Sequence, residues 1–237
     1  IASIVAVEFG KLVSRRTKID IIVTPAITVL TGVFVANFVG PYIGNFMNLL
    51  GAIIINATEK APFFMGIIVS VVVGIVLTLP ISSAALSMML SLSSLAGGAA
   101  TIGCCCQMVG FAVMSYRDNK VEGLVAQGLG TSMLQMPNIV RKPLIIIPPI
   151  LSSAILGPVS TMVFKLENTP LGSGMGTSGL VGQISTFTAM PDVPFMKLLG
   201  IILLMHIILP GLVTFVIYEV LYRKGLIQDG DMKLYFK

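Results

Sequence analysis

Tryptophan is missing from this sequence, histidine occurs once, and Asp, Glu, Lys and Arg together make up only 11% of its 237 residues. A soluble domain carries roughly 25% charged residues, because a folded globule must still cover itself with polar surface. The shortage of charge therefore excludes an ordinary water-soluble domain. Lipid is the solvent that removes the requirement, and a hydrophobic content of 55% with mean hydropathy +0.98 agrees with it. The formal net charge of +5 is spread thinly, with no dense basic block, which excludes nucleic acid as a partner.

The cysteines are few and badly spaced for a framework. Cys104, Cys105 and Cys106 are consecutive, whereas an oxidised scaffold needs its thiols apart. Successive helix positions point roughly 100° apart, so the three cannot converge on one metal ion. They read as small packing residues, and no cofactor or metal is called for. A leader with a basic start and a small-residue cleavage site is also lacking. The opening "IASIVAVEFGKL" reads as the end of an apolar helix already under way, so a membrane protein with more chain upstream is expected.

What is present is a series of apolar runs. A spanning helix needs about 20 such residues. Residues 21–39, 63–79, 144–164 and 196–222 qualify, the last two with internal prolines (Pro148, Pro149 and Pro158; Pro210) that suit packed, bent helices. Residues 81–116 are dominated by small side chains, which let helix backbones approach closely. They predict a tight helical pair broken near Gly97 and Gly98. Residues 41–57, interrupted by Asn45, Asn48 and Asn56, predict an interfacial helix or partial crossing. Residues 121–136, with Glu122, Gln127 and Gln135 among Leu and Met, predict an amphipathic surface helix. Residues 168–191 are too rich in Gly, Ser and Thr for lipid and too uncharged for an open loop, so a re-entrant or broken helix is predicted.

Basic residues favour the cytoplasmic side. Lys11, Arg15, Arg16 and Lys18, then Arg141 and Lys142, then Arg223 and Lys224 mark three inside loops. The expected fold is an all-α polytopic membrane protein with about six crossings, both ends inside, and a Gly-rich re-entrant segment. It forms a single membrane domain over residues 1–237 with a short cytoplasmic tail at 223–237.

Polar groups within a bilayer need a reason. Glu59 just before the strongest span, with Asn56 and Thr58 beside it, reads either as a cavity wall for a solute or as an interfacial Glu59–Lys60 pair that ends a helix. Gly174, Gly176, Thr177 and Ser178 offer backbone amides and hydroxyls to a polar ligand; the plainer reading is a hinge. His206 is the only histidine available to a proton relay or a ligand, and equally suits a helix-to-helix hydrogen bond. Gln107, Gln135 and Asn138 complete the buried polar set; each offers donor and acceptor together, which fits neutral hydroxylated solutes and structural hydrogen bonds alike. Gly176-Thr177-Ser178-Gly179 with His206 also matches the bare pattern of an intramembrane serine protease, a remote alternative because the residues around His206 are bulky.

Several segments taken in order carry a resemblance. "IDIIVTPA" lies at residues 19–26, "MGIIVS" followed by "LTLPISSAA" within 65–85, "QMVGFAVMSYRDN" at 107–119, "AQGLGTSMLQMPNI" at 126–139 and "ENTPLGSGMGTSGLVGQ" at 167–183. Together they resemble the enzyme IIC-like membrane proteins of the phosphotransferase system that are grouped with the perfringolysin regulator. The resemblance implies a bacterial inner-membrane homodimer, a permease for a sugar or similar small polar solute. It also implies a re-entrant hairpin at the solute site, with Glu59 and the Gly-rich run as the transferred positions. "ATEKAP" only approximates the Glu-Pro turn of better-known sugar permeases. Phosphoryl transfer needs a phospho-histidine and a phospho-cysteine on soluble domains (IIA and IIB), which this sequence does not contain. Any phosphotransferase activity then needs cytoplasmic partner proteins. A membrane sensor that regulates gene expression without transport is the alternative reading.

Overall fold

The computed structural model describes residues 2–14 and 20–234, so Arg15, Arg16 and Lys18 of the first basic cluster lie outside the described residues. The chain divides into two compact units, residues 1–49 and 50–237. In the first unit, helix α1 (Ala2–Val13) lies against the first half of α2 (Asp20–Lys60). A Cβ on Gly10 would collide with the Thr28 hydroxyl, and one on Gly32 would sit 3.3 Å from Ala6. Small residues set this approach, as apolar attraction alone cannot do between helices bathed in lipid.

The second unit is a helical bundle around α5 (Ser94–Met114), which is buried almost along its whole length. α3 (Pro62–Thr78) and α8 (Ile147–Pro158) pack on it. Gly66, Ser70 and Gly74 recur every fourth residue of α3 and form one narrow stripe. Gly103 of α5 meets this stripe so closely that a Cβ there would strike the Ser70 carbonyl oxygen. Gly157 of α8 meets it at Gly66 in the same way. The Ser70 hydroxyl bridges the seam, donating to the Ser153 carbonyl at 2.8 Å. α12 (Leu209–Arg223) closes the bundle against α5 and α8.

The all-α architecture expected from the sequence holds. Four helices are long and apolar enough to cross a membrane among the described residues: Ile22–Lys60, Ser94–Met114, Pro143–Phe164 and Phe195–Arg223; the apolar helix Pro62–Thr78 is shorter. Three local expectations need correction. The small-residue pair is α4 (Ser83–Met89) and α5, and it breaks at residues 90–93, upstream of Gly97 and Gly98. Those two glycines instead open α5, where the Asn168 and Leu166 carbonyls press against them. With seven residues α4 is too short to supply the crossing assigned to it in the count of six. Residues 41–57 are no separate segment but the continuation of α2, whose apolar runs outweigh its asparagines.

The third correction concerns residues 121–136. α6 (Tyr116–Val125) is kinked at Lys120, followed by a π-helical turn (Ala126–Gly130), a 3-10 turn (Ser132–Gln135) and α7 (Met136–Arg141). Gln127 is wholly buried rather than facing water, and Gln135 is buried with it, as its place in the buried polar set predicts; each satisfies its amide inside the protein. Further π-helical turns lie at Val159–Phe164, straight after Pro158, and at Leu203–Ile208, between α11 (Phe195–Ile202) and Pro210 of α12. Proline lacks the N–H that would close the regular ladder four residues back, which leaves His206 O free to adjust.

A candidate solute site at the glycine-rich hairpin

Residues 168–191 form the broken helix anticipated for them. α9 (Pro170–Ser173) and α10 (Val181–Ala189) flank a turn that carries the glycines. Asn168 anchors the entry: its Nδ2 donates to Thr101 Oγ1 at 2.7 Å, to the Gly182 carbonyl at 3.0 Å and to Thr186 Oγ1 at 3.2 Å, while its Oδ1 accepts from the Thr169 amide. This one buried amide ties both arms of the hairpin to α5. Gly176 has φ +54° and comes so near α5 that a Cβ would lie 2.7 Å from that of Cys104; its carbonyl accepts from the Gly182 amide at 3.1 Å. Only glycine meets both demands cheaply.

The hydroxyls expected to face a solute are partly committed. Ser83 Oγ donates to the Gly174 carbonyl at 2.6 Å, and Thr177 Oγ1 donates to the Gly128 carbonyl of the first π-helical turn at 2.5 Å. Ser178 is half-buried beside them. His206 is buried, and its Nδ1 lies 3.1 Å from the side-chain amide of Gln183 on α10. Among the described residues no hydrogen bond joins His206 to Ser178. The three cysteines fan out. Cys104 Sγ lies 3.7 Å from the Ser173 carbonyl, Cys105 Sγ 3.8 Å from Gln183 Nε2, and Cys106 Sγ 3.5 Å from Ser152 Oγ.

Gln107 sits on the side of α5 facing α3. Its Oε1 accepts from Thr78 Oγ1 at 3.1 Å, and Thr78 in turn accepts from Ser132 Oγ at 2.9 Å. Among the described residues its Nε2 has no partner, and neither has Gln183 Oε1. Turning either amide over exchanges which end is free but still leaves one free end on each side chain. A buried polar atom without a partner costs about 1–3 kcal/mol, so each of these amides calls for an explanation. Gln183 reaches α5 at Cys105, whereas Gln107, two residues further along, points to the opposite side of that helix.

The other positions read from the sequence lie apart from this cluster. Glu59 and Asn56 are exposed near the end of α2, and among the described residues no hydrogen bond or ion pair connects Glu59 to Lys60 or to the hairpin. Thr58 is buried and returns its hydroxyl to the Ile54 carbonyl at 2.7 Å. Asn138 belongs to a different network, donating to Gln135 Oε1 at 2.8 Å and to the Lys233 carbonyl at 3.1 Å. Sequence reasoning missed Gln183, Asn168 and Thr78. Gln183 closes the glycine-rich run at a helix start, and an amide in so apolar a neighbourhood was the signal available.

The family model described as "Phosphotransferase system, EIIC" matches residues 1–234. No curated protein and no solved structure matches the chain. A match over nearly the whole length, on an all-α bundle with membrane-length apolar helices, decides the affiliation. This chain belongs to the EIIC family of the phosphotransferase system: it is a membrane permease that handles a transported substrate and operates with cytoplasmic phosphotransferase partners.

Proposed function

We propose that the chain carries a sugar or a similar small, neutral, hydroxyl-bearing solute across the bacterial inner membrane as a multi-pass permease, working as a homodimer. The observation that carries this reading is the half-satisfied amide of Gln183 beside His206 on the hairpin side of α5, with a second such amide, Gln107, on the side of α5 facing α3. A primary amide offers both a donor and an acceptor, and a sugar hydroxyl answers either. Charge points the same way. The buried polar groups of the described residues are hydroxyls, amides and one imidazole, with no carboxylate, ammonium or guanidinium among them. Such a lining accepts a neutral solute and penalises an ion, whose desolvation it could not offset.

In this reading Gln183 and His206 contact the solute on the hairpin side of α5 and Gln107 serves it on the α3 side, while Gly174, Gly176, Thr177 and Ser178 form the wall that moves to admit it. Asn56, Thr58 and Glu59 serve the approach to the site, with Glu59 free to accept hydrogen bonds from hydroxyls. Phosphoryl transfer to the solute, where it occurs, is the work of the cytoplasmic partners. Binding of a panel of sugars, polyols and small acids to the purified protein, followed by thermal shift, tests the proposal. A neutral hydroxylated member should raise the melting temperature of the wild type and fail to do so with Gln107→Leu or Gln183→Leu. If small acids shift it and no polyol does, the reading is wrong.

A further inference from the structure

The segment that follows α12 does not trail away from the bundle. Residues 228–234 are received by a groove whose floor is made from α6, the 3-10 turn and α7, and the groove reads their backbone. Asp118 accepts from the Gly230 amide at 2.8 Å and from the Met232 amide at 3.1 Å, one through each carboxylate oxygen. Asn119 accepts from the Leu234 amide at 2.7 Å and donates to the Met232 carbonyl at 2.8 Å. Gln135 donates to the same carbonyl at 3.0 Å, and Asn138 to the Lys233 carbonyl at 3.1 Å. The Met232 side chain is buried beside Ile139 and Tyr218, and Lys142 pairs with Asp231 at 2.6 Å.

Two features make this more than a folded end. First, the groove is strained. Lys120, next to Asn119, has φ +50° and ψ −145°, a region left almost entirely to glycine. Such a backbone persists only while its surroundings hold it, and Asn119 is pinned at both ends of its side chain by the seated segment. Second, the groove is wired to the hairpin. Gln135 Nε2 also donates to Gln127 Oε1 at 2.9 Å, and Gln127 lies within the π-helical turn whose Gly128 carbonyl takes the Thr177 hydroxyl. Ser132, which opens the 3-10 turn that Gln135 ends, closes the Thr78–Gln107 chain on the other side. Gln127, Gln135 and Asn138 each use both of their side-chain N–H bonds, and Asn119 donates one of its own to the Met232 carbonyl, so withdrawing the segment strands donors of Asn119, Gln135 and Asn138 together.

We propose that residues 228–234 are a detachable strap, and that its seating on Asp118, Asn119, Gln135 and Asn138 fixes the π-helical turn that holds Thr177 and, through it, the position of the glycine-rich hairpin. The inference rests on the hairpin's place in the solute site, but its test uses no solute. A seated strap locks the hairpin closed against α5. A released strap lets Lys120 relax, shifts the turn and frees the hairpin. Coupling of this kind requires an element with two arrangements that both ends bias, and the strained kink supplies one.

Hydrogen–deuterium exchange on the purified full chain in nanodiscs is the measurement, comparing wild type with Asn119→Ala/Asn138→Ala, with Thr177→Val, and with a chain ending at Arg223. The double variant is expected to speed exchange roughly tenfold or more in the strap, in residues 126–131 and in residues 176–180. Thr177→Val should speed it at 176–180 alone. A synthetic peptide of residues 226–237 added to the shortened chain should restore protection at both inner sites. Faster exchange confined to the strap in the double variant would overturn the proposal, as would a peptide that binds and restores nothing. If the shortened chain loses its helix content, the double variant alone decides the matter. Failure of every sugar in the binding panel would leave these exchange results unaltered, so the two readings fail separately.

Discussion

Replacing Gly103 with alanine puts one methyl group where the Ser70 carbonyl oxygen already stands. The obstacle is backbone on both sides, so no side chain can swing away. Either α3 and α5 separate or both bend. Overpacking of this kind costs about 1–3 kcal/mol, and here the separation would also loosen the Ser70–Ser153 hydrogen bond that joins α3 to α8.

The glycines of the chain provide an internal scale. Gly74 is the milder neighbour of Gly103: a Cβ would lie 2.8 Å from the Gly103 carbonyl oxygen, against an ordinary contact of 3.4–4 Å. Gly211 would meet only the Val109 and Val113 side chains, at 3.4 and 3.5 Å, and Gly200 would meet nothing within 4 Å. Gly200→Ala should gain about 0.5–1 kcal/mol from helix preference, and Gly211→Ala should be near neutral. The expected order of melting temperature is therefore Gly200→Ala, then Gly211→Ala with wild type, then Gly74→Ala, then Gly103→Ala. For a chain of this length about 1–3 kcal/mol corresponds to a fall of roughly 2–12 °C. The chain carries its own probe, because its three cysteines are all buried and free. A maleimide that fluoresces on reaction with thiols reports the melt. If Gly103→Ala melts indistinguishably from Gly200→Ala, the seam described between α3 and α5 is not the one the protein uses.

Other outcomes follow from the same geometry. In the folded protein Cys104, Cys105 and Cys106 should resist alkylation until denaturant is added; rapid labelling of any one in the native state would place α5 at a surface. Arg117 pairs with Glu219 at 3.0 Å and lies 4.1 Å over the Tyr222 ring, so Arg117→Ala should lower stability by about 1 kcal/mol or less. That loss should shrink in high salt, and a salt-independent loss would point to packing instead. Asn168→Leu removes the donor that serves Thr101, Gly182 and Thr186. It should destabilise the hairpin by about 1–3 kcal/mol, seen as faster hydrogen exchange at residues 176–182 with α3 and α8 unchanged. Glu59→Gln, at an exposed helix end, should leave the melting temperature unchanged while altering uptake in reconstituted vesicles; a change in neither would remove Glu59 from the solute route.

Composition alone determined that this is a membrane protein, because 11% charge cannot clothe a soluble surface. The apolar runs located the long helices. The Gly, Ser and Thr content of residues 168–191, neither lipid-compatible nor loop-like, marked the broken segment. These are properties of a stretch of chain against its solvent, so the sequence holds them locally. The break between α4 and α5 was misplaced for the complementary reason. Gly97 and Gly98 looked like a hinge, but they serve the close passage of the Leu166 and Asn168 carbonyls, which come from another part of the chain. Likewise Gln127 and Gln135 fit a surface helix by pattern, while their burial depends on partners as distant in sequence as Met232. Gln107 and Asn138 looked equivalent as buried amides. Only the tertiary structure separates them, leaving one half-satisfied on the α3 side of α5 and engaging the other with the segment after α12. Helix, lipid exposure and broken backbone are decided by neighbours along the chain; which polar group is satisfied is decided by neighbours across it.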